Sequence, residues 1–215
     1  MRLSLLLLAL LLPQVGWAQF GGFTAGSYVL RNSPMVRHEA SLQLNSSTEL
    51  RWKDAAGNKQ KLTPDGVSSF RIGKHRYVTA DSFTIKAFMR AIPVERAFVE
   101  LVDSGWVMLV RYDLPVNTGA GYVGTSGNFV GSTGNHGYLQ PFYLLRLPTD
   151  KQFTIVNYNM VGNSGKEFKA IVLPFFADRP DLVAIIESKR FSNDELPALV
   201  HAYNSSEPYA PLSSR

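Results

Sequence analysis

The side chains with the most versatile chemistry in this 215-residue chain are four histidines, His38, His75, His136 and His201. None has another at i+2 to i+4, so the spacing of a metal-binding loop or helix is missing and no metal site is expected. The chain holds no cysteine, which excludes thiolate ligands, cysteine nucleophiles and disulfides. His75 falls at a hairpin tip and His201 on the outer face of a terminal helix. His136 lies in a glycine-rich stretch, where a solvated loop residue is the plain reading and a ligand contact the alternative. A Gly-x-Ser-x-Gly elbow is missing, since Gly124-Thr-Ser-Gly127 is one residue short of it. Gly119-Ala-Gly121-Tyr-Val-Gly124 matches GxGxxG literally, but a dinucleotide site needs a strand before it and a helix after it. More glycines follow instead. Gly165-Lys166 lacks the remainder of a phosphate-binding loop. Glu95, Glu100 and Asp103 lie near one strand and read as ordinary solvated carboxylates. These residues assign no catalytic group and no cofactor.

Tyr122, Phe129, His136 and Tyr138 interleave with glycines and amides across 117–138. Aromatic groups on a polar loop can stack on sugars or bury into a partner, or they can pin the loop to the body of the protein. These four are the candidate partner or ligand contacts, the expected partner being an envelope protein or glycan.

The address of the protein is read from residues 1–18. Arg2 precedes an apolar run from Leu3 to Leu12 broken only by Ser4, Pro13 ends it, and Gly16-Trp-Ala18 supplies small residues at the −3 and −1 positions of a cleavage site. This is the layout of a secretory signal peptide, too short to span a bilayer. Cleavage before Gln19 would leave an exported chain, periplasmic or extracellular, with no transmembrane span. The missing cysteine closes the bacterial lipoprotein route. The formal charge is +5, but Lys and Arg are scattered. Their densest cluster, Arg71, Lys74, His75 and Arg76, sits at a hairpin tip, so ordinary solvated charge is expected and nucleic acid is not.

The elements that must position these groups are mainly strands. Alternation or β-branched enrichment marks 27–31, 41–45, 49–53, 59–63, 69–72, 76–79, 82–88, 96–102, 106–112, 141–147 and 153–156. Gly73-Lys-His75 and Asp103-Ser-Gly105 turn two hairpins. Residues 117–138 read as a Gly-rich loop or insertion. Phe168, Ile171, Val172 and Phe175 then take helical spacing, with Ser164 and Glu167 placed for a capping box and Pro174 set to kink or end the helix. Asp178 is placed to cap a second helix carrying Leu182, Ile185 and Ile186. Ser192 or Asp194 is placed to cap a third, carrying Leu196, Leu199, Val200 and Tyr203. Residues 205–215 read as a disordered tail. Asn45-Ser-Ser47 and Asn204-Ser-Ser206 fit the glycosylation sequon, which has meaning only outside bacteria.

Three segments carry a resemblance. Lys61-Leu-Thr-Pro-Asp-Gly-Val-Ser-Ser-Phe-Arg-Ile-Gly-Lys-His-Arg-Tyr-Val78, Phe98-Val-Glu-Leu-Val-Asp-Ser-Gly-Trp-Val-Met-Leu-Val-Arg-Tyr112 and Phe191-Ser-Asn-Asp-Glu-Leu-Pro-Ala-Leu-Val-His-Ala-Tyr-Asn204 resemble, in that order, segments of uncharacterised exported proteins from Bacteroidetes. The resemblance implies an exported location and a β-rich fold, and carries over no activity and no catalytic residue. Relatives often have cysteines near the second and final helices, and this chain has none there. The expectation is one domain over 19–204, α+β and mainly β. It would be a strongly bent antiparallel sheet or small open barrel with two or three C-terminal helices packed on it. The expected function is a binding or interaction module of the cell envelope. The alternatives are an envelope glycan or peptide hydrolase and a structural accessory of an outer-membrane assembly.

Overall fold

The computed structural model describes residues 22–54, 56–87, 90–117, 137–156, 164–188, 191 and 193–211. Ten strands form one antiparallel sheet that does not close: β1 (Thr24–Leu30), β2 (Arg37–Ser46), β3 (Glu49–Lys53), β4 (Lys59–Leu62), β5 (Val67–Ile72), β6 (His75–Ala87), β7 (Arg90–Asp103), β8 (Met108–Asn117), β9 (Gly137–Arg146) and β10 (Thr154–Val156). Their spatial order is β10-β9-β8-β7-β6-β5-β1-β2-β3-β4. Three helices follow: α1 (Ser164–Val172), α2 (Pro180–Glu187) and α3 (Leu196–Ser205). The fold class is α+β and mainly β, with the helices at the C-terminal end, in line with the sequence pattern.

Chain length dictates the bend. Four strand spacings, about 19 Å in a flat sheet, separate β4 from β5. Only residues 63–66 join them, and that link is a tight turn in which Gly66 N and Val67 N both donate to Thr63 O, at 3.0 and 3.2 Å. A turn of this kind brings its ends within about 7 Å. The first five strands must therefore curl until β4 comes back toward β5, giving a small open barrel. Its interior is the cluster of Tyr28, Leu42, Leu50, Val67, Phe70 and Phe98, with Trp52, Leu62 and Ile72 at its margin. The tip of the β2–β3 hairpin crosses to β7, where Phe98 N donates to Ser47 O at 2.6 Å.

The strands read as 76–79 and 82–88 are one continuous strand, β6, paired with β7 from Tyr77↔Glu100 to Ala87↔Arg90. Ala80-Asp81-Ser82 is a weak strand former on propensity. Pairing overrides it, and Asp81 is held by Arg96 (2.5 Å) and Arg31 (3.2 Å). Pro93 is tolerated in β7 because β8 pairs only with Glu100–Asp103, which leaves the first part of β7 with a single partner strand among the described residues. The β5–β6 turn is two residues, Gly73-Lys74, with Gly73 at φ 56° and Ile72 opposite His75.

Alternation along β8 divides the core. Leu109 faces the helices, in a cluster with Leu145, Phe168, Val172, Phe176, Leu182, Ile186, Leu196, Leu199 and Val200. Val110, Tyr112, Leu114 and Val116 face the other way, against Ala80, Phe83, Ile85, Ala97, Val99, Phe142 and Leu144. Burying one such Leu, Ile or Phe contributes roughly 1.5–3 kcal/mol.

Two helix starts differ from the sequence reading. Arg179, not Asp178, is the residue before α2, and it makes no side-chain cap; Pro180 opens the helix instead. The Asp178 carboxylate accepts from Tyr203 OH at 3.0 Å, tying α2 to α3. A short 3-10 turn, Asn193–Glu195, leads into α3, with Pro197 in the tolerated first turn and no side-chain cap from Glu195. Ser192 lies outside the described residues. Pro174 ends α1 as expected, starting a 3-10 turn over Leu173–Phe176. Of the stretch read as a tail, Ser205 belongs to α3 and Tyr209 OH donates to Glu195 at 3.1 Å.

Candidate functional site

A row of directly opposed residues crosses the middle of the sheet on its helix-bearing face: Tyr77 on β6, Glu100 on β7, Arg111 on β8 and Tyr143 on β9. Antiparallel pairing sets these side chains about 5 Å apart. Glu100 is the centre. His75 Nδ1 lies 2.6 Å from its Oε1, and Arg111 Nη2 forms an ion pair with Oε2 at 2.8 Å. Arg111 also reaches Asp113 Oδ2 at 3.2 Å, while its Nε stands 3.2 Å from Oδ1 but off the hydrogen-bond line.

A second pair is brought to the same face by a bulge. Glu100 opposes Arg111 and Leu101 opposes Val110, but Asp103 opposes Leu109, so Val102 is an extra residue. Strict alternation would put Asp103 on the face opposite Glu100. The bulge re-aims it. There Asp103 Oδ2 lies 3.0 Å from His201 Nδ1, and Oδ1 accepts from Asn204 Nδ2 at 2.8 Å. Asn204 also exchanges two bonds with the backbone of Val107, Nδ2 to O at 2.8 Å and Oδ1 from N at 3.0 Å. These bonds fasten α3 to the β7–β8 turn and occupy the amide that a sequon would modify.

Together these groups line a groove of about 620 Å³ between the β5–β6 tip, the end of β7 and α3. Its walls hold His75, Glu100, Asp103, Arg111, Tyr143 and His201, with Lys74 and Arg76 at the rim. The Glu100 and Asp103 side chains are 14% and 17% exposed, against the solvated state expected from sequence. Burial pushes the Tyr77 hydroxyl up to about 12, helped by the charges of Glu100 and Asp113 and opposed by Arg111. Burial likewise raises Tyr143 and Asp113, and Arg111 works against both shifts. Arg111 itself is raised: burial disfavours its charge, but the carboxylates of Asp113 and Glu100 outweigh that.

Arg111→Met tests this electrostatic balance. Removing the guanidinium leaves Glu100 and Asp113 without their shared cation, which would cost several kcal/mol in a dry interior. Arg111 is 38% exposed, so solvent screening reduces the expected loss at pH 7 to about 1–2 kcal/mol. The folded chain keeps the Asp113 proton to higher pH than the unfolded chain, so between the two pKa values stability falls as pH rises. The variant's deficit should therefore shrink as pH drops through the raised Asp113 pKa. Thermal melts followed from pH 7 down to pH 3 decide it, and a deficit that stays constant across that whole range would show that the charges are not coupled.

Of the four contacts expected from sequence, Tyr138 is the one among the described residues. Tyr122, Phe129 and His136 lie outside the described residues, as does the GxGxxG match. Tyr138 is on β9, 48% exposed and opposite Val116. It is five residues from Tyr143, hence on the other sheet face and about 17 Å along the strand. The structure does not bring it to the groove. His38 stacks on Tyr28 with ring centroids 5.0 Å apart, away from the site. Sequence reasoning located His75 and His201 but missed their carboxylate partners. Glu100 and Asp103 lie within one strand, and only pairing register and the bulge bring them to a common face. Among the described residues no group of three or more metal-ligating side chains could hold a metal ion, and no helix is long and apolar enough to cross a membrane. Comparison of the chain with protein-family models, curated proteins and solved structures finds no match.

Proposed function

We propose that the protein is an exported, non-catalytic binding module of the cell envelope, and that the groove between the β5–β6 tip and α3 is its contact surface. The observation that carries this reading is that every oxygen of the groove's two carboxylates already has a partner. Both oxygens of Glu100 are held, by His75 and Arg111, and both of Asp103, by His201 and Asn204. Groups locked in this way form a fixed pattern of charge and hydrogen-bonding sites, which suits recognition. Export rests on the leader pattern of residues 1–18, and kinship with exported Bacteroidetes proteins on the segments 61–78, 98–112 and 191–204.

A hydrolase of envelope glycans or peptides is the second reading, favoured by one observation: two carboxylates and two oriented imidazoles line one groove. Ser205 is the nearby hydroxyl on α3, but it donates to the His201 carbonyl at 2.8 Å rather than to an imidazole. A role as a structural accessory using free sheet edges finds little support in β4, a four-residue edge strand carrying Lys59 and Lys61.

Fractionation of the expressed full chain, followed by incubation of the exported product with envelope glycans and peptides, separates the readings. The expected result is a clipped protein outside the cytoplasm that releases no product. Product release abolished by Glu100→Gln or Asp103→Asn would establish the hydrolase instead. A cytoplasmic, unclipped chain would remove the envelope role.

A further inference from the structure

We infer that the outer wall of the β1–β5 barrel docks on an anionic lipid bilayer, Met35 and Val36 entering the acyl layer and the lysines and arginines of the wall meeting the headgroups. This surface lies on the sheet face opposite the groove and is a second contact beyond it. Leu42, Leu50, Phe70 and Tyr77 point into the barrel or its margin, so alternation turns their strand neighbours outward. Three directly opposed pairs on that outer face are like-charged: Arg51↔Lys61, Lys53↔Lys59 and Arg71↔Arg76. Like charges in that position are destabilising. Glu49 bridges the first pair, 2.6 Å from Arg51 and 3.1 Å from Lys61. The other two have no carboxylate at ion-pair distance among the described residues. With Arg37, the wall carries seven cations against Glu39 and Glu49, a surplus of five. The whole chain has 22 Lys and Arg against 17 Asp and Glu, so outside the wall the two signs number 15 each and cancel. Cations scattered along the chain are gathered by register onto one face.

Charge alone suits any polyanion; an apolar tip selects the bilayer. In the order β6-β5-β1-β2-β3-β4, β1 and β2 are the central strands of the wall. Their connecting turn ends in Met35 and Val36, 95% and 49% exposed, directly before Arg37. Two tight turns hold that tip in shape, Ser33 N donating to Leu30 O at 3.2 Å and Val36 N to Ser33 O at 3.0 Å. The carboxylates at this end of the barrel, Asp65 and Asp81, are neutralised by Arg96 and Arg31. A soluble polyanion leaves both apolar side chains in water, whereas a bilayer takes them up beside the cations.

The test is vesicle co-sedimentation of the exported protein, with vesicles of phosphatidylcholine alone against vesicles of phosphatidylcholine and phosphatidylglycerol in equal parts. At low salt the anionic vesicles should bind about tenfold or more tighter, and added salt should shrink that margin. Lys53→Gln/Lys59→Gln removes one like-charged pair, so it should lower affinity for the anionic vesicles about tenfold with the melting temperature unchanged or raised. Met35→Ser/Val36→Ser should weaken vesicle binding and leave its salt dependence as it was. Equal binding to the neutral vesicles would overturn the inference, as would an affinity that either double variant leaves unmoved. Capture of single-stranded DNA or polygalacturonate without capture of vesicles would overturn it too, assigning the wall to a soluble polyanion.

Discussion

Asn204→Asp should destabilise the protein more than Asn204→Ala, by about 3 kcal/mol or more against about 2–3 kcal/mol for alanine. The amide of Asn204 suits its position because its two ends have opposite roles. Nδ2 donates to Asp103 Oδ1 and Val107 O, and Oδ1 accepts from Val107 N. Alanine removes three hydrogen bonds, each contributing about 0.5–1.5 kcal/mol net, and leaves the Val107 amide without its acceptor. Aspartate keeps that acceptor but turns the donor end into an oxygen facing a carboxylate and a carbonyl, so two attractions become repulsions. Gly105 reflects the same tight fit: a Cβ there would sit 2.5 Å from Asn204 Cγ. Because Asn204 holds the α3 wall of the groove, both substitutions should also abolish ligand binding. Thermal melts and titration on the same samples provide the check. An aspartate variant as stable as the alanine variant would show that the amide orientation does not matter.

Gly26→Ala is expected to be at least as damaging, at about 3 kcal/mol or more. Gly26 sits inside β1, opposite Ile72 on β5 and Ala40 on β2. A Cβ there would overlap the Arg71 carbonyl oxygen and come within 3.0 Å of Leu42 Cδ1. The obstacle is backbone of a neighbouring strand, so no rotamer change relieves it. β1 would have to move off β5, disturbing pairing in the middle of the barrel, an overpacking cost at the top of its usual range. Backbone entropy alone would make alanine stabilising in a strand by about 0.5–1 kcal/mol. Chemical denaturation therefore distinguishes the two by sign, and a stabilised variant would mean the strands are not in this close contact.

These two positions also show what the residues disclose unaided and what they do not. Strand content was legible because Val, Ile and aromatic residues alternate over short runs, and β3 falls where Glu49–Lys53 was read. The helices were legible from Phe168, Leu182, Leu199 and Val200, all buried in the structure. Their caps were less so, since Pro180 and Pro197 fit the first helical turn without help from Asp178 or Asp194. The groove was legible only in parts. His75 at a hairpin tip and His201 on the last helix were both placed correctly, but they are 126 positions apart, and nothing local states that their carboxylates share a face. That depends on Val102, a single extra residue whose effect is set by cross-strand register. Nor does the pattern around Gly26 reveal that a carbonyl from β5 lies against it.

The short connection through Thr63-Pro-Asp-Gly66 has a further consequence. It brings the barrel's ends together covalently, in place of a ladder between β4 and β5, which are not neighbours in the sheet. Along that seam the wall around Tyr28 and Phe70 is held by the turn itself, by Arg31 N donating to Gly66 O at 2.9 Å and by Arg31 Nε donating to Pro64 O at 3.0 Å, so one arginine just after β1 does there what a strand ladder does elsewhere.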